Sequence, residues 1–265
     1  MLGFIFLVNK MDNKRLDLID TYRGITIISM ILFHFCWFAN AFGMLISTET
    51  LYGLPFTIWE RTICCSFIFI SGFSFSLGSH QKKNGLVILG LGIAITILSV
   101  VFTDDLYDIF GVLWLIGIAM LSTIVLDKIY PDVFKQNKLI NLLFLIVSIA
   151  LVVFMWNINN GYLGLRSIVA LDLPAGLYKN YFTTLLGFPF KGFYSVDYFS
   201  IFPWVFLYYA GYFMHKITAN TVFENMIMKK GIPFLNVIGR HSLLIYIIHP
   251  VVMVVTMYVV QLISL

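Results

Sequence analysis

The sequence predicts an all-α, polytopic membrane helix bundle of about seven transmembrane helices, its N-terminus inside, its C-terminus outside, and one long outer loop. Three observations predict it. The chain of 265 residues is 60% hydrophobic and only 11% charged, where soluble domains average about 25% charged. Its apolar residues fall in runs close to the ~20 residues that cross a bilayer. Its basic residues also cluster on alternate connections, as the positive-inside rule requires. The chain reads as a single domain, 1–265.

Taken in order, the spans fall near 21–42, 56–78, 85–103, 107–126, 139–156, 199–215 and 241–262. The first opens with an acid and a base at its entrance, Asp20 and Arg23. The second contains FIFISGFSFSLG, whose Gly and Ser residues permit close helix packing. The third and fourth flank the acidic turn TDDLYD (Asp104, Asp105, Asp108). The fifth carries no charged residue, the sixth is rich in aromatics, and the seventh carries Pro250. With the N-terminus inside, inner segments hold 13 of the 17 basic residues, leaving Arg61, Arg166, Lys179 and Lys191 outside. No internal repeat is visible, which weighs against the repeated halves of many transporters.

The segment 157–198 departs from simple span-and-turn order. A loop this long is functional or disordered, and its aromatic content argues against disorder. Short or re-entrant helices are expected there. Trp156, Tyr162, Tyr178, Tyr181, Tyr194 and Tyr198 could together stack against a sugar.

Composition also excludes functions. The net charge of +4 fits loops facing an anionic leaflet rather than nucleic acid. Cys36, Cys64 and Cys65 lie in apolar runs and give no disulfide framework. There is no GxxxxGK[ST] loop, no GxSxG elbow and no metal-ligand spacing. The first ten residues resemble a short signal core without a cleavage site, and Met11 is an alternative start.

The residues that could carry chemistry line two helix strips. Eleven steps of ~100° return His34 to nearly the face of Arg23, and Asp20 lies ~40° from it. Asp20, Arg23, Ile27 and His34 therefore form a strip from the inner surface to mid-membrane, where an ionisable group signals function. His34 can act as a general base, and the Arg23 fork suits phosphate. Asp20 and Arg23 could equally form a plain interfacial ion pair. The last span offers Ser242, Tyr246 and His249 on one face, with Arg240 and His241 at its inner end. Pro250 cannot donate to the carbonyl of Tyr246 and should kink that helix. His34 and His249 are the candidate catalytic residues. Asp20, Arg23, Gly24, Arg240 and Ser242 are candidates for the inner end of the site, where an anionic cytoplasmic substrate could anchor. Arg61, Asp197, Tyr198 and Trp204 are candidates for an outer site, with Arg61 paired to Asp197.

The blocks RLDLIDTYRGITIISMILFHF, ERTICCSFIFISGFSFSL, FGVLWLIGIAML, VDYFSIFPWVFLYYAG and IGRHSLLIYIIHP occur in that order over nearly the whole chain. Together they resemble the transmembrane acyltransferases, in the branch related to the catalytic domain of heparan-α-glucosaminide N-acetyltransferase. The Arg23-to-His34 spacing is more distantly similar to the acyltransferase-3 family. The resemblance implies an acyl group, acetyl in the first place, delivered by cytoplasmic acyl-CoA (acetyl-CoA). The group passes to a hydroxyl or amine of a carbohydrate or glycolipid on the far side. It implies that His34 takes part in transfer and that Arg23 and Gly24 border the coenzyme. Two departures bear on mechanism. Trp114 stands where related chains often carry histidine, and the sugar N-acetyltransferases have asparagine at the position of His34. No metal is expected. Membrane lipids are expected partners, nucleic acid is not, and a homodimer stays open. A multi-pass bacterial plasma-membrane protein fits. The alternatives are a proton-coupled or solute transporter using the intramembrane histidines, and a structural membrane protein.

Overall fold

The structure is a computed structural model that describes residues 17–44, 46–102, 106–165, 169–227 and 231–264. Lys10, Lys14, Arg15, Asp104, Asp105, Arg166, Lys229 and Lys230, used above to assign orientation, lie outside the described residues, as does Met11. The described chain is mostly helical: α1 (Asp17–Ala41), α2 (Thr48–Leu51), α3 (Leu54–Ser74), α4 (Gln81–Phe102), α5 (Val112–Ile129), α6 (Asp132–Gln136), α7 (Lys138–Phe154), α8 (Tyr181–Leu186), α9 (Ile201–Thr218), α10 (Val222–Ile227), α11 (Pro233–Arg240) and α12 (Ser242–Ser264).

Among the described residues, six helices are long and apolar enough to cross a membrane: Asp17–Ala41, Leu54–Leu77, Gln81–Phe102, Val112–Ile129, Lys138–Asn160 and Ser242–Ile263. They correspond to six of the seven spans expected. The remaining one, near 199–215, is α9, which does not qualify. Tyr208, Tyr209, Tyr212, His215 and Lys216 dilute its apolar surface, and Phe202 breaks its first turn with φ −95° and ψ 134°. The fourth span opens at Val112 rather than 107, because 106–110 forms an irregular connection in which Phe110 takes φ 60°.

The chain divides into two compact units. The first comprises the described residues up to Phe67 and from Ala219 onward; the second is Ile68–Thr218, so the boundary falls inside α3. That the two act as one functional domain stays a proposal.

In the first unit α1 packs against α11 and α12. Its core joins Ile27, Met30 and Ile63, flanked by Phe33, Trp59, Ile245 and Tyr246. A second cluster joins Phe38, Ala39, Met253 and Met257. α11 is short. Pro233 starts it, at the helix position where a missing N–H costs nothing. It buries Asn236 and Gly239 while Phe234 and Val237 face outward.

In the second unit α9 packs against α7 and α5, and α4 pairs with α5. α9 is the most enclosed helix here: Trp204, Tyr208, Tyr212 and Phe213 are all buried. Its hydroxyls find partners inside the protein. Tyr209 Oη donates to Ser122 Oγ at 2.8 Å, and Tyr212 Oη donates to the Asp127 carboxylate, which also meets Lys216 and Lys135. A Cβ built on Gly72 would strike the carbonyl of Tyr208, so the glycine in FIFISG does permit backbone contact.

The segment after α7 forms a β-hairpin that the sequence reading did not anticipate. β1 (Tyr162–Leu165) pairs antiparallel with β2 (Val169–Asp172), Leu163 opposite Leu171. Gly161, at φ 91°, turns the chain into it. One short helix, α8, follows, closed by a capping box between Asn180 and Thr183. Tyr178 Oη donates to the Ile158 carbonyl and Tyr198 Oη to the Thr184 carbonyl, both at 2.5 Å. Backbone latches thus hold this segment together.

Candidate active site

The two candidate catalytic histidines meet. His34, near the middle of α1, and His249, at the start of the third turn of α12, lie 215 residues apart in sequence, yet His34 Nδ1 is 2.6 Å from His249 Nε2. Their rings are 4.7 Å apart between centroids. His249 is buried, with 5% of its surface exposed, and His34 is half-buried. Phe33 and Trp59 pack edge to face beside them, and Trp59 Nε1 donates to Ser29 Oγ at 2.7 Å. The other nitrogen of His249, Nδ1, lies 2.6 Å from the carbonyl oxygen of Tyr246. Three ends of a polar line are therefore fixed: carbonyl, buried imidazole, half-buried imidazole.

A second cluster forms where α11 ends beside the start of α1. Arg23 Nη1 donates to Asp20 Oδ1 at 2.7 Å. Arg240 donates through Nε to Asp20 Oδ2 at 3.3 Å and through Nη2 to Asp17 Oδ1 at 3.2 Å. Helix dipoles favour both sides, since acids suit a helix N-terminus and a cation suits a C-terminus. Asp17 and Asp20 open α1, and Arg240 closes α11. His241 Nδ1 donates to the Val237 carbonyl at 2.8 Å, capping the same end. Two guanidiniums thus share one carboxylate, an arrangement that a phosphate could enter by displacing it.

Backbone contact holds this cluster in place. A Cβ on Gly24 would strike the carbonyl of Leu235, and one on Gly239 would strike the carbonyl of Asp20. Thr21 Oγ1 donates to Asn236 Oδ1 and accepts from the Ile232 amide at 3.0 Å. Gly24, expected to border a coenzyme, is where α11 rests on α1. The sequence reading missed Thr21, Asn236 and Gly239. The available signal was the pattern Gly231, Asn236, Gly239 in a segment otherwise carrying apolar residues.

The strip expected along α1 is not polar throughout. Ile27 lies on it and is fully buried among Met30, Ile63 and their neighbours. The eleven residues from Arg23 to His34 rise ~16 Å at 1.5 Å each, so apolar packing separates the charged cluster from the histidine pair along that line.

The remaining candidates take other places. Ser242 opens α12. Arg61 belongs to the first unit and Asp197 to the second, so their pairing stays a proposal. Asp197 Oδ2 accepts from the Val112 amide at 3.4 Å, at the N-terminus of α5. Asp108 lies nearby in the connection outside the spans. Burial, reinforced by the charge of Asp197, pushes its carboxyl up to about 8. Tyr198 serves as a backbone latch. Trp204 is 4% exposed and packs edge-on against Trp156. Of the aromatic group expected to face a sugar, Tyr181 and Tyr194 are each 56% exposed. Among the described residues, no three His, Cys, Asp or Glu side chains converge as a metal site would need.

Six span-length helices define a multi-pass membrane protein, and its first unit carries an ion cluster at a helix start and a histidine pair. The family model described as heparan-alpha-glucosaminide N-acetyltransferase, catalytic, matches residues 15–251, and the chain belongs to that family. The match ends one residue after Pro250, so it takes in both histidines and the whole charged cluster. No curated protein and no solved structure matches the chain. The similarity to the acyltransferase-3 family stays a resemblance in one motif.

Proposed function

We propose that this chain is a membrane acetyltransferase. It moves an acetyl group from cytoplasmic acetyl-CoA to an amine or hydroxyl, most simply of a sugar or glycolipid, on the opposite side. Family membership supports the reaction class. The observation that carries the site is the contact of His34 Nδ1 with His249 Nε2 at 2.6 Å inside the helical unit.

In this reading the phosphates of the donor sit against Arg23 and Arg240, displacing part of the carboxylate of Asp20. The acyl-bearing arm reaches towards His34. As the acceptor attacks the thioester carbonyl carbon, its proton passes to an imidazole nitrogen of His34. Collapse of the tetrahedral intermediate breaks the carbon–sulfur bond, and the thiolate takes the same proton back. The balance is acceptor–H plus acyl thioester giving acylated acceptor plus thiol. General-base assistance of this kind contributes about 10²–10⁴ in rate. A direct transfer needs no acyl-histidine. The exposed Tyr181 and Tyr194 offer stacking faces for a sugar ring.

Purified protein incubated with labelled acetyl-CoA and a panel of amino sugars and sugars tests this. Release of free thiol together with an acetylated product supports it. Uptake of a solute or protons into proteoliposomes without any acyl donor, and no product, would support the transport reading, which the adjacent intramembrane histidines also suit.

A further inference from the structure

The geometry points to a proline-steered tautomer lock: Pro250 directs the Tyr246 carbonyl to His249, which fixes the protonation pattern of His34 and leaves the basic lone pair on His34 Nε2. His249 is then a positioning residue. This inference rests on the acetyltransferase reading for its catalytic meaning, although the lock is a property of the resting protein.

The argument begins with the chain order Tyr246-Ile247-Ile248-His249-Pro250. In a regular helix the amide of residue 250 would donate to the carbonyl of residue 246. Proline has no amide hydrogen. The carbonyl of Tyr246 accepts instead from His249 Nδ1 at 2.6 Å. A carbonyl oxygen can only accept, so Nδ1 of His249 must carry hydrogen. A neutral imidazole has one N–H, so Nε2 of His249 is an acceptor. That nitrogen lies 2.6 Å from His34 Nδ1, which must therefore be the donor. The hydrogen of neutral His34 is thereby placed on Nδ1, and its lone pair on Nε2. Free imidazole side chains choose between tautomers; here each choice is forced by the bond before it.

The chemical consequence is specific. A base needs its lone pair aimed at the acceptor at all times. If His34 carried hydrogen on Nε2, it could not take the proton of an attacking amine or hydroxyl there. When His34 Nε2 takes that proton, the His34 cation still donates through Nδ1 to His249, so its orientation holds through the step. His249 need not receive the proton.

The experiment uses the full chain with ¹⁵N-labelled histidine in lipid, read by nitrogen NMR at a pH where the imidazoles are neutral. Five histidines contribute, His34, His80, His215, His241 and His249, and the spectra of His249→Gln and His34→Gln assign two of them. Both His34 and His249 should show protonated Nδ1 and bare Nε2. In Pro250→Ala the amide of residue 250 competes for the Tyr246 carbonyl, and the His249 signal should move towards a tautomer mixture. In acetyl transfer, His249→Gln should stay within tenfold of wild type, because the amide oxygen of Gln can accept from His34 Nδ1. His249→Leu should lower kcat about 10–100-fold with KM for acetyl-CoA unchanged. Hydrogen on Nε2 of either ring in the wild type overturns the lock. Equal loss in His249→Gln and His249→Leu overturns the positioning role and makes His249 a proton carrier. If the protein transfers no acetyl group, the NMR result still decides the lock separately from the acetyltransferase reading.

Discussion

Replacing Gly239 by alanine forces apart two backbones that touch. A Cβ at 239 would strike the carbonyl of Asp20, with the carbonyl carbon at 2.8 Å and the amide of Gly24 at 3.1 Å. Gly24→Ala makes the reciprocal clash, with the Leu235 carbonyl carbon at 2.9 Å and its Cα at 3.1 Å. Carbon atoms rest at ~3.5–4.0 Å, so α11 must lift from α1 by roughly 1 Å. Overpacking of this kind costs about 1–3 kcal/mol. On soluble-domain scaling of about 2–4 °C per kcal/mol, thermal unfolding in detergent should fall by roughly 2–12 °C. Both substitutions demand the same movement, so the double variant should cost less than the sum of the two. The same movement stretches the Arg240 contacts to Asp20 and Asp17, and coenzyme A affinity should fall with stability. Gly90→Ala is the control. Its Cβ meets nothing within 4 Å, and alanine should stabilise that helix by about 0.5–1 kcal/mol. Single variants at 24 and 239 that stay within about 0.5 kcal/mol of wild type would refute the backbone contact and the placement of Arg240 built on it.

Other substitutions probe other links. Arg240→Gln removes one of the two guanidiniums on Asp20 and should weaken coenzyme A binding about tenfold, or ~1.4 kcal/mol, by calorimetry; unchanged affinity removes the charged cluster from the donor site. Asp108, pushed up to about 8 by burial and the charge of Asp197, is protonated in the folded state over a pH range where the unfolded chain ionises. Stability should therefore be lost as pH rises from about 4 towards about 8. Asp108→Asn should flatten that fall in Tm against pH, and a parallel decline in both proteins would contradict it. If Arg61 and Asp197 pair, Arg61→Gln and Asp197→Asn should lose activity alike and the double variant should be no worse; additive losses separate them.

How much of this was legible beforehand follows from the range of each interaction. The ion pair of Asp20 with Arg23 is a local fact of spacing within one helix, and it is present in the structure; the kink expected at Pro250 is not, since the helix runs from Ser242 to Ser264 with the proline inside it. The meeting of His34 with His249 is not local. Periodicity gives a face, not the helix that covers it, so the two strips could be drawn but not joined. Ile27 shows the opposite limit: it shares the angular face of Arg23 and His34, yet packing against Met30 and Ile63 seals it. The helix Pro233–Arg240 was hidden because its buried face is small and polar, Asn236 and Gly239, while Phe234 and Val237 point outward. The hairpin was hidden because its strands are only four residues each. α9 falls short of the apolar character expected of it because its aromatic residues carry polar groups: Tyr209 bonds to Ser122 and Tyr212 to Asp127 inside the second unit.

The most direct test compares wild type with His34→Ala in proteoliposomes loaded with an amino sugar and supplied outside with labelled acetyl-CoA. The expected result is an acetylated sugar in the wild type and a loss of about 10²–10⁴ in rate in the variant, with coenzyme A still bound. Equal rates in the two proteins would contradict the role given to the α1 histidine.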